Sequence, residues 1–116
     1  MRRTKHNVIF ICSPFRGDME RNLENARLYG RFVYEQDSIP FAPHLLYPQF
    51  LSEHIEEERN AGICMGVEML GLCDELWVFG EEITTGMAIE IAAARAMGKT
   101  IRRFGSDCRE VSHDNA

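Results

Sequence analysis

The chain alternates short, wholly apolar runs with longer segments whose apolar residues recur every three or four positions. Residues 8–12, Val-Ile-Phe-Ile-Cys, carry no polar break and end at Ser13-Pro14, the pattern of a strand buried on both faces of a parallel sheet. Gly17 or Asp18 can then cap a helix in which Leu23, Ala26, Gly30 or Arg31, and Val33-Tyr34 fall near helical spacing. Residues 38–42 read as a second, short strand. Pro40 has no N–H to give a ladder, which places that strand at the sheet edge.

Segment 43–51 is apolar and aromatic but holds Pro43 and Pro48, so it predicts an irregular loop packed over some other part of the fold. From Ser52 or Glu53 to about Leu72 the period returns to that of a helix, with Ile63, Val67, Met69 and Leu70 on one face. Gly62, Gly66 and Gly71 weaken it by up to about 1 kcal/mol each against alanine and permit another backbone to come close. Residues 76–79, Leu-Trp-Val-Phe, predict a third strand, and residues 86–97 a helix stopped at Gly98. Residues 100–104 predict a fourth strand, and residues 106–116 a frayed tail.

This β-α-β-α-β-α-β alternation predicts an α/β fold. The expected form is a three-layer α/β/α sandwich on a flavodoxin-like parallel sheet of order 2-1-3-4, with room for a short fifth strand and right-handed crossovers. A chain of 116 residues holds one such domain, expected over residues 1–105, with 106–116 as a flexible tail. No internal repeat is visible.

Net charge is −5, which disfavours polymeric nucleic acid and anionic membrane surfaces as partners. The opening Met1-Arg2-Arg3-Thr4-Lys5-His6 leads into an apolar run too short for a signal peptide, and no run approaches the roughly 18 residues of a bilayer span. A cytoplasmic protein is expected. Cys12, Cys64, Cys73 and Cys108 form no Cys-x-x-Cys pair, which favours reduced thiols, three of them buried among apolar neighbours. No His, Cys, Asp or Glu spacing suits a metal, and no cofactor is expected.

The residue that most needs a reason is Glu90, in the opening turns of the helix after the third strand, whose other members are nearly all apolar. That handover from strand to helix lies at the edge of an open α/β sheet where ligands bind. Glu90 cannot close a capping box, since the positions three after Thr84 and Thr85 are Met87 and Ala88. Met87, Ile91 and Ala94 make a sheet-facing stripe, and the alanines around the rest of the helix suggest cover by a loop or a second subunit. In that setting the acid would be partly desolvated; a solvated surface acid is the competing reading.

The turn Ser13-Pro14-Phe15-Arg16-Gly17-Asp18 joins the first strand to the first helix, where amide groups and the helix dipole favour an anion, and Arg16 suits phosphate. It is neither a Walker loop nor a dinucleotide fingerprint. An ordinary turn with a solvated Arg16 is the alternative. His44, in the proline-bearing loop, is a packing residue or a ligand contact, and Glu56-Glu57-Glu58 reads as a solvated helix opening.

Residues 9–15, Ile-Phe-Ile-Cys-Ser-Pro-Phe, residues 73–79, Cys-Asp-Glu-Leu-Trp-Val-Phe, and the helix from Gly86 to Lys99 together resemble the nucleoside 2-deoxyribosyltransferase superfamily, which includes 2'-deoxynucleoside 5'-phosphate N-hydrolases. The resemblance covers about residues 7–104. It is closest to an uncharacterised bacterial and phage branch sharing residues 42–49 and the 77–80 strand. It implies that Glu90 is the nucleophile that attacks sugar C1' and forms a glycosyl-enzyme. Ser13, Phe15, Arg16 and Gly17 would lie in the loop that contacts sugar and phosphate, Gly86 and Met87 would contact substrate, and His44 would sit in the loop that closes over the base. Phe10 falls where the family often has an orienting tyrosine, and Gly66 where it has an aspartate.

Three functions follow as expectations. The first is an N-glycosidase or deoxyribosyltransferase-like enzyme acting on a small nucleoside or nucleotide through Glu90. The second is a non-catalytic module that binds or sequesters a nucleotide-derived small molecule. The third is a structural or regulatory protein whose alanine-rich helix is an oligomer interface. A homodimer or larger homo-oligomer is expected in each case.

Overall fold

In the computed structural model, which describes residues 6–115, the apolar runs lie side by side as neighbouring strands. Residues 1–5, which begin the stretch too short for a signal peptide, and the tail's last residue, Ala116, lie outside the described residues. The strands are β1 (Val8–Cys12), β2 (Ile39–Phe41), β3 (Glu75–Phe79), β4 (Thr100–Phe104) and β5 (Glu110–Asn115), in the order β2-β1-β3-β4-β5. The first four are parallel, and β5 runs antiparallel to β4. Pro40 sits on the outermost strand, β2, as its missing donor requires.

Because successive strand residues point to opposite faces, the sheet carries two cores. Phe10, Cys12, Leu76, Val78 and Ile101 pack on one face against Leu70 of α3 (Glu56–Leu70) and Met87 and Ala94 of α4 (Thr85–Ala96). Ile9, Ile11, Trp77, Phe79 and Phe104 pack on the other against Tyr29 and Val33 of α1 (Met19–Glu35). The result is the expected three-layer, flavodoxin-like sandwich. Asp18 caps α1 by accepting from the Arg21 amide, and the buried stripe of α1 is Ala26, Tyr29 and Val33, with Tyr34 exposed.

Four local readings change. Segment 43–51 is not irregular: Pro43 opens a short helix α2 (Pro43–Leu46), and a 3-10 turn follows at Tyr47–Gln49, since a proline at the first helical position costs no hydrogen bond. Helix α3 begins at Glu56, because Ser52 closes a turn of its own, its Oγ accepting from the His54 amide at 3.1 Å. Of the cysteines only Cys12 and Cys73 are buried, Cys108 is intermediate and Cys64 is exposed.

The fourth concerns residues 106–116, read as a tail, in which β5 pairs with β4. The Arg102 guanidinium donates to both carboxylate oxygens of Glu110, at 2.7 and 2.8 Å, and lies 4.6 Å from the Trp77 ring centre. This pairing finishes the sheet at the edge opposite β2. Among the described residues no helix is long and apolar enough to cross a membrane.

Candidate functional site

Parallel strands bring three loops to one edge: residues 13–18 after β1, residues 42–55 after β2 and residues 80–84 after β3. Between them lies a cavity of about 430 Å³.

Its floor is the first two turns of α4. Thr84 caps that helix by accepting from the Met87 amide at 3.2 Å, and its own amide points at the Met87 sulfur at 3.5 Å. A thioether thus takes the position an acid fills in a capping box, and Glu90 is left free of the cap. Glu90 lies one turn further on, between Met87 and Ala94 on the sheet-facing stripe, and is 4% exposed. Its Oε1 is buried and has no hydrogen-bond partner among the described residues. Burial pushes its carboxyl up from 4.5 to about 7, against a smaller downward pull from the thiol of Cys12.

The space over that carboxylate exists because position 66 of α3 has no side chain. A Cβ there would stand 3.9 Å from Glu90 Oε2 and 3.8 Å from Phe10 Cζ. The helix interior accepts the conformational cost of glycine where two elements and a carboxylate converge.

The opposite wall is a stacked pair, Phe15 and His44, with ring centres 4.9 Å apart. His44 Nε2 donates to the Ser13 carbonyl at 2.9 Å, and burial lowers its pKa, so the ring stays neutral near pH 7. Arg16 and Glu53 meet at 3.5 Å, joining the first loop to the second where both border the cavity. Helix α3 contributes Arg59, Asn60 and Ile63. The Arg59 side chain has no ion-pair partner among the described residues.

Of the eight residues singled out from sequence, Phe15, Arg16, His44, Gly86, Met87 and Glu90 line this one cavity. Ser13 stands behind it, its carbonyl holding His44 and its Oγ buried without a partner. Gly17 is turned away. Its φ of +99° and the Met19 amide bond to its carbonyl swing it toward a neighbouring cavity of about 470 Å³ shared with Asp18, Asn22 and Glu81. Arg16 borders both cavities, but its guanidinium is already engaged by Glu53 and is not simply open to an anion.

Sequence reasoning passed over Glu53, Arg59 and Asn60. A signal was present for Arg59: it stands four residues before Ile63, on the same helical face as Ile63 and Gly66. Among the described residues no loop covers the alanine-rich outer face of α4, and Ala88, Ile89, Ala92 and Ala96 are exposed in the single chain. Among the described residues no three His, Cys, Asp or Glu side chains gather as metal ligands would.

Residues 7–104 match the family described as a domain of unknown function, DUF7768. The chain belongs to the DUF7768 family. No curated protein compared with this DUF7768 chain matches it. Among solved structures it is similar to a 2-deoxyribosyltransferase from the psychrotolerant bacterium Bacillus psychrosaccharolyticus, described as a biocatalyst for synthesis of antiviral and antitumoral nucleosides. The TM-score is 0.68 at 20% identity, covering 84% of this chain and 72% of the other. At that identity the likeness establishes a shared fold.

Proposed function

We propose that this DUF7768 domain acts on the N-glycosidic bond of a nucleoside or nucleotide, with Glu90 as the nucleophile. The observation that carries the reading is a carboxylate almost wholly buried on the floor of a cavity at the sheet's C-terminal edge, with one oxygen unpartnered. A structural acid in the same place would be matched with donors, because a buried carboxylate left unpaired is costly. The fold shared with a 2-deoxyribosyltransferase, and the family resemblance of residues 9–15 and 86–99, support the same chemistry.

In this mechanism ionised Glu90 attacks C1' as the bond to the base nitrogen breaks. The bond electrons leave with the base, which takes up a proton, and the sugar remains as an ester on Glu90. Water then hydrolyses the ester, or a second base displaces it. The sugar cation character that develops at C1' is stabilised by the same carboxylate, itself almost wholly buried. Phe15 and His44 offer a flat aromatic wall to the base, and Arg59, together with Arg16 once a phosphate displaces Glu53 from it, offers a cationic group to a phosphate. Because Glu90 must be ionised to attack, the rate climbs as pH rises through about 7.

One observation favours a second reading, capture of a nucleotide-derived ligand without turnover: Phe10 and Gly66, both beside Glu90, supply it no hydrogen-bond donor. Incubation with nucleosides and their 5'-monophosphates separates the two. Free base detected by chromatography, and lost in Glu90→Gln, supports the enzyme; ligand-dependent thermal stabilisation without free base supports capture.

A further inference from the structure

Beside the main cavity lies a much smaller one, a recess of about 50 Å³. Glu90, His44, Glu53, Arg59 and Ile63 border both. The rest of its wall, which the main cavity does not share, includes Tyr47 of the 3-10 turn, Leu51 beyond it and Gly62 of α3. A Cβ at position 62 would stand 3.7 Å from Leu51 Cδ1 and 3.9 Å from Tyr47 Cβ, so the glycine keeps open a space that one methyl group would enter without a clash. Size decides what the recess can take. Organic ligands occupy cavities of at least about 300 Å³, a range reached by the main cavity and not by the recess. One water needs only about 10–15 Å³, so the recess admits about three. Glu90, His44 and Arg59 supply the polar partners that a held water requires.

We propose that this recess holds the water that hydrolyses the glycosyl-enzyme, and that hydrolysis is therefore the main fate of the sugar ester, ahead of transfer to a second base. The inference rests on the reading of Glu90 as the nucleophile. A water already beside the ester needs no encounter step, whereas a second base has to enter the main cavity from solution once the first has gone. The water must also approach C1' from the side the base has left, opposite the Glu90 oxygen. His44 belongs to the wall proposed for the base and lines the recess as well. The neighbouring cavity of about 470 Å³ borders neither Glu90 nor His44, so water held there is remote from the ester.

The same histidine can take the proton. Its Nε2 donates to the Ser13 carbonyl, which fixes the hydrogen of the neutral ring on Nε2 and leaves a lone pair on Nδ1. Among the described residues that is the ring's one hydrogen bond. Burial keeps the ring neutral near pH 7, the form that accepts a proton. In the step, the water oxygen bonds to C1' as the bond from C1' to the Glu90 oxygen breaks. The electron pair of the broken bond stays on the Glu90 carboxylate, and the proton of the water goes to Nδ1. Imidazolium and carboxylate thus appear together, and the ring then returns its proton to solvent.

The test follows both fates of the sugar in wild type, Gly62→Ala and Leu51→Ala. The full chain is incubated with the common 2'-deoxynucleosides and their 5'-monophosphates in the presence of labelled adenine. Chromatography counts free base, free sugar and labelled nucleoside or nucleotide, and mass spectrometry of acid-quenched protein detects sugar held on Glu90. Wild type should yield free sugar in excess of labelled product. In Gly62→Ala a methyl takes about the space of one water, so the ratio of free sugar to labelled product should fall about tenfold, with sugar-bearing protein accumulating. Leu51→Ala widens the recess and should leave the ratio at or above the wild-type value. Loss of stability alone lowers both products together and leaves their ratio in place. A ratio unchanged in Gly62→Ala while base is still released, or one that falls equally in both variants, overturns the recess as the water site and leaves Glu90 as nucleophile. So does a wild type that mainly transfers, a result that needs no variant to fold. If wild type releases no base, the Glu90 reading is overturned and the recess falls with it.

Discussion

Gly66 on α3 faces Glu90 on α4 so closely that a methyl group added at position 66 would come to rest 3.9 Å from the carboxylate's Oε2. That distance, and 3.8 Å to Phe10 Cζ, are ordinary van der Waals contacts, so the position tolerates alanine. Gly66→Ala should stabilise the protein by up to about 1 kcal/mol at pH 5, where Glu90 is protonated, through helix propensity. It should also raise the Glu90 pKa above its value of about 7 by removing solvent from the carboxylate. Urea denaturation and a carboxyl titration read the two effects separately.

Phe10→Tyr is the complementary change. The para carbon of Phe10 and Glu90 Oε2 both lie within 4 Å of where a Cβ on Gly66 would stand, so a hydroxyl on that carbon is placed to donate to Glu90. The Glu90 midpoint should fall below about 7. An unchanged midpoint in the tyrosine variant would show that the hydroxyl does not reach the carboxylate.

Burial of Glu90 also makes stability depend on pH. The unfolded chain loses this proton near 4.5, whereas the folded protein holds it to about 7. The folded state therefore binds more protons in that window, and stability falls as pH rises through it. At about 1.4 kcal/mol per pKa unit the loss totals about 3 kcal/mol. Glu90→Gln should remove this dependence, so its stability relative to wild type should grow by that order between pH 4.5 and pH 8, as measured by chemical denaturation.

The strands and α4 were legible in the sequence because buried parallel strands read as unbroken apolar runs, and because a single acid stands out in an alanine-rich helix. The start of α3 was not, since Ser52, the natural cap by residue type, is used in a turn and the true N-cap, Ile55, makes no side-chain bond. β5 was hidden for a different reason: it is held by backbone pairing at the sheet edge and by the Arg102–Glu110 contact, neither of which leaves a hydrophobic pattern. In the site, the residues on loops after strands were readable from topology. Arg59 could be read only from its spacing to Ile63 and Gly66, and Asn60 not at all, because a polar residue near the start of a helix looks the same whether it faces a cavity or water.

The pair Arg16–Glu53 should compete with an anionic ligand. Glu53→Gln frees the guanidinium, so affinity for nucleoside 5'-monophosphates should rise by about three- to tenfold at low salt, with neutral nucleosides unaffected. Calorimetric titration checks this, and an equal change for both ligand classes would place Arg16 elsewhere than on the phosphate.

The measurement closest to the central claim is release of free base by wild type and Glu90→Gln, assayed side by side over a panel of nucleosides and 5'-monophosphates at pH 8. The expected result is release by wild type and at least a roughly thousandfold loss in the variant, as for removal of a covalent nucleophile. Release at equal rates from both proteins would contradict it.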